Sequence, residues 1–175
     1  MNHILICCNI HDIIVITMLR KFVQKLNYNR SNSITKIKFK ISPEAKRLAK
    51  KLFENKSEKY RQNIGDELLD ELADMAKIDI VNLKISDKNQ YHKKRNGRVS
   101  SKQYGYYKPG SKYIYIHNRT AVRGQILANK TFLDTLLHEW MHHYDFCKLH
   151  LNSIHTAGFY ARLKDLKTKL GWLEL

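Results

Sequence analysis

Apolar residues recur along this chain with two different periods, and those periods divide it into elements. Ala45, Leu48, Ala49, Leu52 and Phe53 fall three and four apart behind Ser42-Pro43-Glu44, a cap residue, a first-turn proline and an early acid, so a helix is predicted to start there. Lys46, Arg47, Lys50 and Lys51 cover its other face. A second helix is predicted from Glu58 to Ala76, burying Tyr60, Ile64, Leu68, Leu72 and Met75 and turning Asp66, Glu67, Asp70, Glu71 and Asp74 to water. The most apolar run is Phe132, Leu133, Leu136, Leu137, Trp140, Met141 and Tyr144, with no Gly or Pro until Gly158. It predicts a central, buried helix from Phe132 to Cys147, with Thr131 and Asp134 as a variant capping box. Phe159, Leu163, Leu166 and Leu170 predict a closing helix stopped by Gly171, with Arg162, Lys164, Lys167 and Lys169 on its outer side.

Alternation marks the strands. Ile37, Phe39 and Ile41 alternate with lysines, and Ile78 to Ile85 reads as another strand. Val99 to Tyr107 and Lys112 to His117 read as two more, joined by the turn Lys108-Pro109-Gly110-Ser111. Lys88 to Arg98 is a basic loop or hairpin tip around Asn96-Gly97, and Arg119 to Lys130 is a connection with room for a short helical turn. The polar segment 27–33, NYNRSNS, reads as a linker. The expected architecture is α+β: residues 1–33 as an N-terminal extension and 34–175 as one domain with scaffold helices and a small, mostly antiparallel sheet. There is no repeat or low-complexity tract.

Charge changes this picture more than composition does. At 175 residues and 43% hydrophobic content, one domain can build a core without staples. Against 16 Asp+Glu stand 32 Lys+Arg. That excess favours polyanions, nucleic acid first and anionic membrane second, with a merely solvated lysine-rich surface as the plain alternative. Nine Lys and Arg lie between Lys84 and Lys112 against the single acid Asp87, interleaved with Tyr91, Tyr104, Tyr106, Tyr107, Tyr113 and Tyr115. Stacking aromatics beside cations suit single-stranded DNA, and Lys93, Lys94, Arg95 and Arg98 are the candidate contacts. Cys7, Cys8 and Cys147 make no disulfide framework, so a reducing cytoplasm is the expected home. Ile4 to Leu19 is apolar but interrupted by Asn9, His11 and Asp12, too short to span a bilayer and without signal-peptide features. It reads as an extra strand, a loose tail, or an upstream extension ahead of a start at Met18.

The chemistry is concentrated in His138-Glu139-Trp140-Met141-His142. Residues four apart on a helix share a face, so His138 and His142 can offer two imidazoles to one metal ion. A catalytic zinc takes three protein ligands and keeps an open position, and Glu139 is placed as general base. Four residues compete for the third ligand. His143 leaves the face by about 100°, and Asp145 stands about 10 Å along the axis from His138, which suits a supporting partner or a surface charge better than a ligand. His155, where the closing helix begins, is favoured, with His150 in reserve.

A Leu-Leu-His-Glu-x-x-His helix, a short connection and then His-x-x-x-Phe resembles the SprT-like metallopeptidase domain, the domain also found in Spartan proteases. The resemblance covers roughly Tyr113 to Gly171 and rests on His138, Glu139, His142, His155 and Phe159. It implies a zincin-like zinc protease with those three histidines as ligands and Glu139 as base, acting on proteins bound or crosslinked to DNA. This chain has Thr156 and Ala157 where the family has Gly after the third His, and it has no C-x-x-C for a zinc ribbon. A strand such as Tyr113 to His117 is expected to receive the substrate backbone, with Tyr113, Tyr115 or His117 as oxyanion donor. Two other readings share these residues: a mobile-element regulator that cuts a repressor, and a non-catalytic nucleic-acid-binding domain whose structural metal takes Cys147 or His150 as fourth ligand.

Overall fold

Periodicity and capping place most of the helices where they form. The computed structural model describes residues 10–171. These run in the order α1 (Ile10–Ser33), α2 (Pro43–Lys51), α3 (Glu58–Ala76), β1 (Asn82–Asn89), β2 (Tyr91–Arg95), β3 (Arg98–Gln103), β4 (Gly105–Lys108), β5 (Tyr113–Arg119), α4 (Asn129–Cys147) and α5 (Ala157–Lys169). Ser42 caps α2 through Ala45 N–H, and Ser57 caps α3 through Tyr60 N–H. The fold is α+β, with one three-stranded sheet and one two-stranded ribbon. The sheet is mixed rather than mostly antiparallel: β5 is its middle strand, parallel to β1 and antiparallel to β4. The ribbon pairs β2 with β3 across Asn96-Gly97, both at positive φ as a two-residue hairpin turn requires. No helix of the described residues is long and apolar enough to cross a membrane.

Burial decides that α4 forms. Its N-cap is Ala128, with no side-chain cap, because the helix begins two residues before Thr131. Thr131 therefore sits inside the first turn, where its carbonyl accepts from Thr135 Oγ1, and Asp134 pairs with Lys167 instead of capping. A missing cap costs about 1 kcal/mol. Phe132, Leu133, Leu136, Leu137, Trp140, Met141 and Tyr144 are all fully buried. Each large side chain so buried contributes about 1.5–3 kcal/mol, and their sum outweighs the absent cap.

Several expectations fail for identifiable reasons. The alternating segment at Ile37, Phe39 and Ile41 is not a strand. Its Ile37 N–H goes to Asp165 Oδ2 and its Lys38 N–H to the Tyr144 phenol oxygen, so side chains satisfy the backbone that a ladder would have used. Phe39 packs on Trp140 and Tyr144. Residues 27–33 are the last turns of α1, not a linker, and Ser31 is buried there. Residues 10–19 are helical, while 1–9 lie outside the described residues together with Cys7 and Cys8. The first strand begins at Asn82 rather than Ile78, and Met75 is exposed. The connection before α4 holds a hydrogen-bonded turn but no helix.

Two buried arginines hold α4 at its ends. Arg61 of α3 donates to Asn118 Oδ1 (2.5 Å), Leu127 O (2.9 Å) and Asn129 Oδ1 (2.8 Å), with its guanidinium 4.3 Å from the centre of the Phe132 ring. It has no carboxylate in hydrogen-bond range, and burial lowers its pKa to about 10. Arg162 of α5 was expected on the outer side of its helix and is instead fully buried. It forms a bidentate pair with Asp145 of α4, Nε to Oδ1 at 2.9 Å and Nη2 to Oδ2 at 2.6 Å. Its remaining protons go to Ser31 O, Ser31 Oγ and Ile34 O, so all five donors are used.

The joint between α1 and α5 depends on close backbone approach at Gly158. A Cβ there would lie 2.0 Å from Ser31 O and 2.7 Å from Asn32 Cα, while Asn32 Oδ1 accepts the Gly158 N–H. Gly158→Ala is expected to destabilise the fold by about 3 kcal/mol or more, the upper end for overpacking against backbone. Gly110→Ala, with nothing within 4 Å of its Cβ position, should leave stability nearly unchanged in chemical denaturation. Equal midpoints for the two variants would show that α1 does not dock as described.

Candidate metal centre

Three imidazoles converge where α4 meets the turn into α5. His138 and His142 stand one turn apart on α4, and His155 precedes Thr156, the N-cap of α5. The Thr156 hydroxyl accepts the Phe159 N–H and bonds to Ser31 Oγ at 2.7 Å, which fixes the entry of α5 and with it His155. All three residues present Nε2. The His138–His155 separation is 2.9 Å, His142–His155 is 3.0 Å and His138–His142 is 3.3 Å. Bonds of about 2.0–2.1 Å at tetrahedral angles would set such nitrogens about 3.3 Å apart, so the set fits one metal ion. The group has no fourth member among the described residues, which leaves a coordination position open.

The surroundings hold these rings in place and keep His138 and His142 neutral. Burial and the neighbouring imidazoles depress His142 to about 3 and His138 to about 4, so both offer lone pairs at neutral pH. Phe159 is fully buried beneath them, its ring centre 4.6 Å from His142, 5.1 Å from His138 and 5.2 Å from His155. Tyr160, exposed, lies over His155 at 5.8 Å. His142 Nδ1 bonds to Ser153 Oγ at 2.8 Å, and Ser153 Oγ reaches Asp145 Oδ2 at 3.2 Å. Burial pushes the Asp145 carboxyl up, and Arg162 and Ser153 pull it the other way. Asp145 is thus no surface charge; it supports the centre from behind.

Glu139 lies beside the ligands in a cleft of about 320 Å³ walled by Gly105, Tyr106 and Tyr107 of β4. Burial raises its pKa to about 7, against the opposing backbone N–H of Tyr107. The backbone of β4 comes close enough that a Cβ on Gly105 would meet Thr135 Cγ2 at 3.2 Å and Glu139 Cγ at 3.4 Å. Because Tyr104 O accepts His117 N–H, alternation turns Tyr106 and Lys108 towards β5 and Gly105 and Tyr107 towards the cleft. The free edge is therefore β4. The Tyr113–His117 segment is the middle strand, occupied on both sides, and none of Tyr113, Tyr115 and His117 lines the cleft.

The other nitrogen and sulfur candidates lie outside the cluster. His143 Nε2 donates to Asp79 O at 2.8 Å and its Nδ1 faces the Tyr107 hydroxyl at 3.0 Å. Cys147 Sγ lies 3.6 Å from that same Nδ1, and His150 sits exposed at φ 50, next to the buried Leu149. Lys93, Lys94, Arg95 and Arg98 are brought together on the β2–β3 ribbon, exposed and in no ion pair among the described residues. The end of that ribbon reaches the centre, since Lys102, Gln103 and Tyr104 border a second hollow with His138 and Glu139. Ser153 and the Tyr107 backbone went unread in the sequence, and Arg162 was read there only as an outer-face residue. Only Arg162 left a trace there, three residues after Phe159 and four before Leu166 on the apolar stripe. Comparison of the chain with protein-family models, curated proteins and solved structures found no match.

One divalent metal ion per chain is expected in the purified protein, measured by elemental analysis. His138→Ala and His142→Ala should lose it, His155→Ala should weaken it strongly, and His150→Ala should keep it. Equal loss in the His150 and His155 variants would remove His155 from the ligand set.

Proposed function

We propose that this protein is a zinc-dependent metallopeptidase with a zincin-like domain of the SprT type, cutting proteins associated with DNA in the cytoplasm. The observation that carries this reading is the convergence of three Nε2 atoms beside a buried carboxylate in a cleft walled by a free strand edge. Three imidazoles with an open position suit zinc in a catalytic role. Zinc held there supplies Lewis acidity, making water acidic near neutral pH and stabilising negative charge on a carbonyl oxygen. A structural metal would need a fourth ligand, and Cys147 and His150 are outside the cluster.

The chain's own residues divide the remaining work. An extended substrate adds to β4, meeting the outward backbone groups of Gly105 and Tyr107. Glu139 takes a proton from water as its oxygen attacks the scissile carbon. The tetrahedral species collapses as the C–N bond breaks, and Glu139 returns that proton to the leaving amine. The Tyr107 N–H keeps the carboxylate turned towards the cleft throughout. The β2–β3 ribbon supplies the DNA contact: its Lys102 end borders the hollow beside Glu139, and Lys93, Lys94, Arg95 and Arg98 lie towards its turn.

Two variants test the two halves of the reading. Glu139→Gln should fold, bind zinc and bind single-stranded DNA like the parent, yet lose hydrolysis of a DNA-bound protein substrate by about 10²–10⁴-fold. Equal cleavage by parent and variant would assign the activity elsewhere. Reversing Lys93, Lys94 and Arg95 to Glu should weaken DNA binding and reduce its salt slope by about 0.7 for each lost phosphate contact. An unchanged slope would leave the ribbon as ordinary solvated surface.

A further inference from the structure

Among the described residues, His142 alone of the three ligands has a hydrogen-bond partner at Nδ1. That partner, Ser153, stands at the end of a chain of bonds whose direction can be worked out from its far end. Arg162 only donates, and its Nε and Nη2 both point at Asp145. Asp145 is fully buried, so the guanidinium needs it as an anion, and an ionised carboxylate only accepts. The contact between Asp145 Oδ2 and Ser153 Oγ at 3.2 Å must then be a bond donated by the serine. A hydroxyl has one proton, so Ser153 meets His142 Nδ1 with lone pairs alone. His142 Nδ1 must carry the hydrogen, which leaves Nε2 bare and facing the other two ligands.

We propose that Ser153 is a positioning residue for the metal centre, through which the buried Arg162–Asp145 pair sets the tautomer and ring orientation of His142. The opposite polarity would need a protonated Asp145 and would leave Arg162 buried without a counter-anion. The loop that carries Ser153 is held in register from α1: Asn27 Nδ2 donates to Asn152 O at 2.8 Å, and Asn152 N–H returns to Asn27 Oδ1 at 2.9 Å. Ser31 and Ile34 take the other donors of Arg162. The end of α1 is therefore wired to a ligand it never touches. The inference rests on the metal-centre reading for its consequence, but the tautomer itself does not need the metal.

The test uses Ser153→Ala and Ser153→Thr in the full chain. Ser153 is half-buried in a loop, so both variants should fold, which circular dichroism and thermal melting check. Long-range ¹H–¹⁵N correlation spectra of the metal-free protein should report the Nδ1–H tautomer for His142 in the parent and in Ser153→Thr. Ser153→Ala should move it towards Nε2–H. Zinc affinity, measured by competition with a chromophoric chelator, should fall about 10–100-fold in Ser153→Ala and recover in Ser153→Thr. An unchanged tautomer in Ser153→Ala overturns the proposal, whatever happens to affinity, and so does unchanged affinity in a parent that binds zinc. A parent that binds no zinc but shows the tautomer change keeps the relay and overturns the metal centre instead.

Discussion

Where α4 sits decides everything in the cleft, and the buried pair between Arg162 and Asp145 is what locates it. The pair ties α5 to α4, and the spare donors of the same guanidinium tie both to the end of α1. At the other end of α4, Arg61 gathers the α3 scaffold, the middle strand and the Leu127 carbonyl into one set of bonds. Buried ion pairs add little net stability over a well-packed apolar cluster, but losing one partner costs about 3–5 kcal/mol. Their value here is geometric. An apolar helix can roll or slide in a greasy core at modest expense, and two buried, hydrogen-bonded guanidiniums remove that freedom.

Much of this was legible in the residues. The stripes of α2, α3, α4 and α5 follow the helical period, and the Asn96-Gly97 turn and the i, i+4 histidine pair each point to one local geometry. The misreadings share a cause: the deciding partner lies far away in sequence. Ile37 to Ile41 alternates like a strand, but its backbone bonds go to Tyr144 and Asp165, more than a hundred residues on. NYNRSNS looks like a linker because its polarity suits water, yet Ser31 and Asn32 spend that polarity on α5. Arg162 was placed outside because arginine is usually exposed, and its partners, Asp145 and Ser31, are 17 and 131 residues away. The order of strands in the sheet, which makes β4 rather than β5 the free edge, is a property of the assembled fold and of no local segment.

The centre itself combines dry and wet sides. Phe159 backs all three rings with apolar surface, and burial disfavours imidazolium at His138 and His142. Glu139 is buried beside β4, held by one backbone donor from that strand. Strand and carboxylate are thereby coupled: a shift of β4 moves the walls of the cleft and the bond that orients Glu139 together.

β4 is only four residues long, and two of them, Gly105 and Tyr107, turn their backbone groups away from β5. One of their two N–H groups, that of Tyr107, is already given to Glu139. A chain laid along this edge can therefore form very few backbone bonds, each of about 0.5–1.5 kcal/mol net. Such a groove grips weakly and reads little side-chain identity. Selection then falls to whatever raises the local concentration of a target at the cleft. Tethering of a target through a second contact, with effective concentrations on the order of millimolar for a short span, turns a poor groove into a selective one. Under the proposed function, a protein built this way would choose by residence, cutting what is held nearby rather than what fits best.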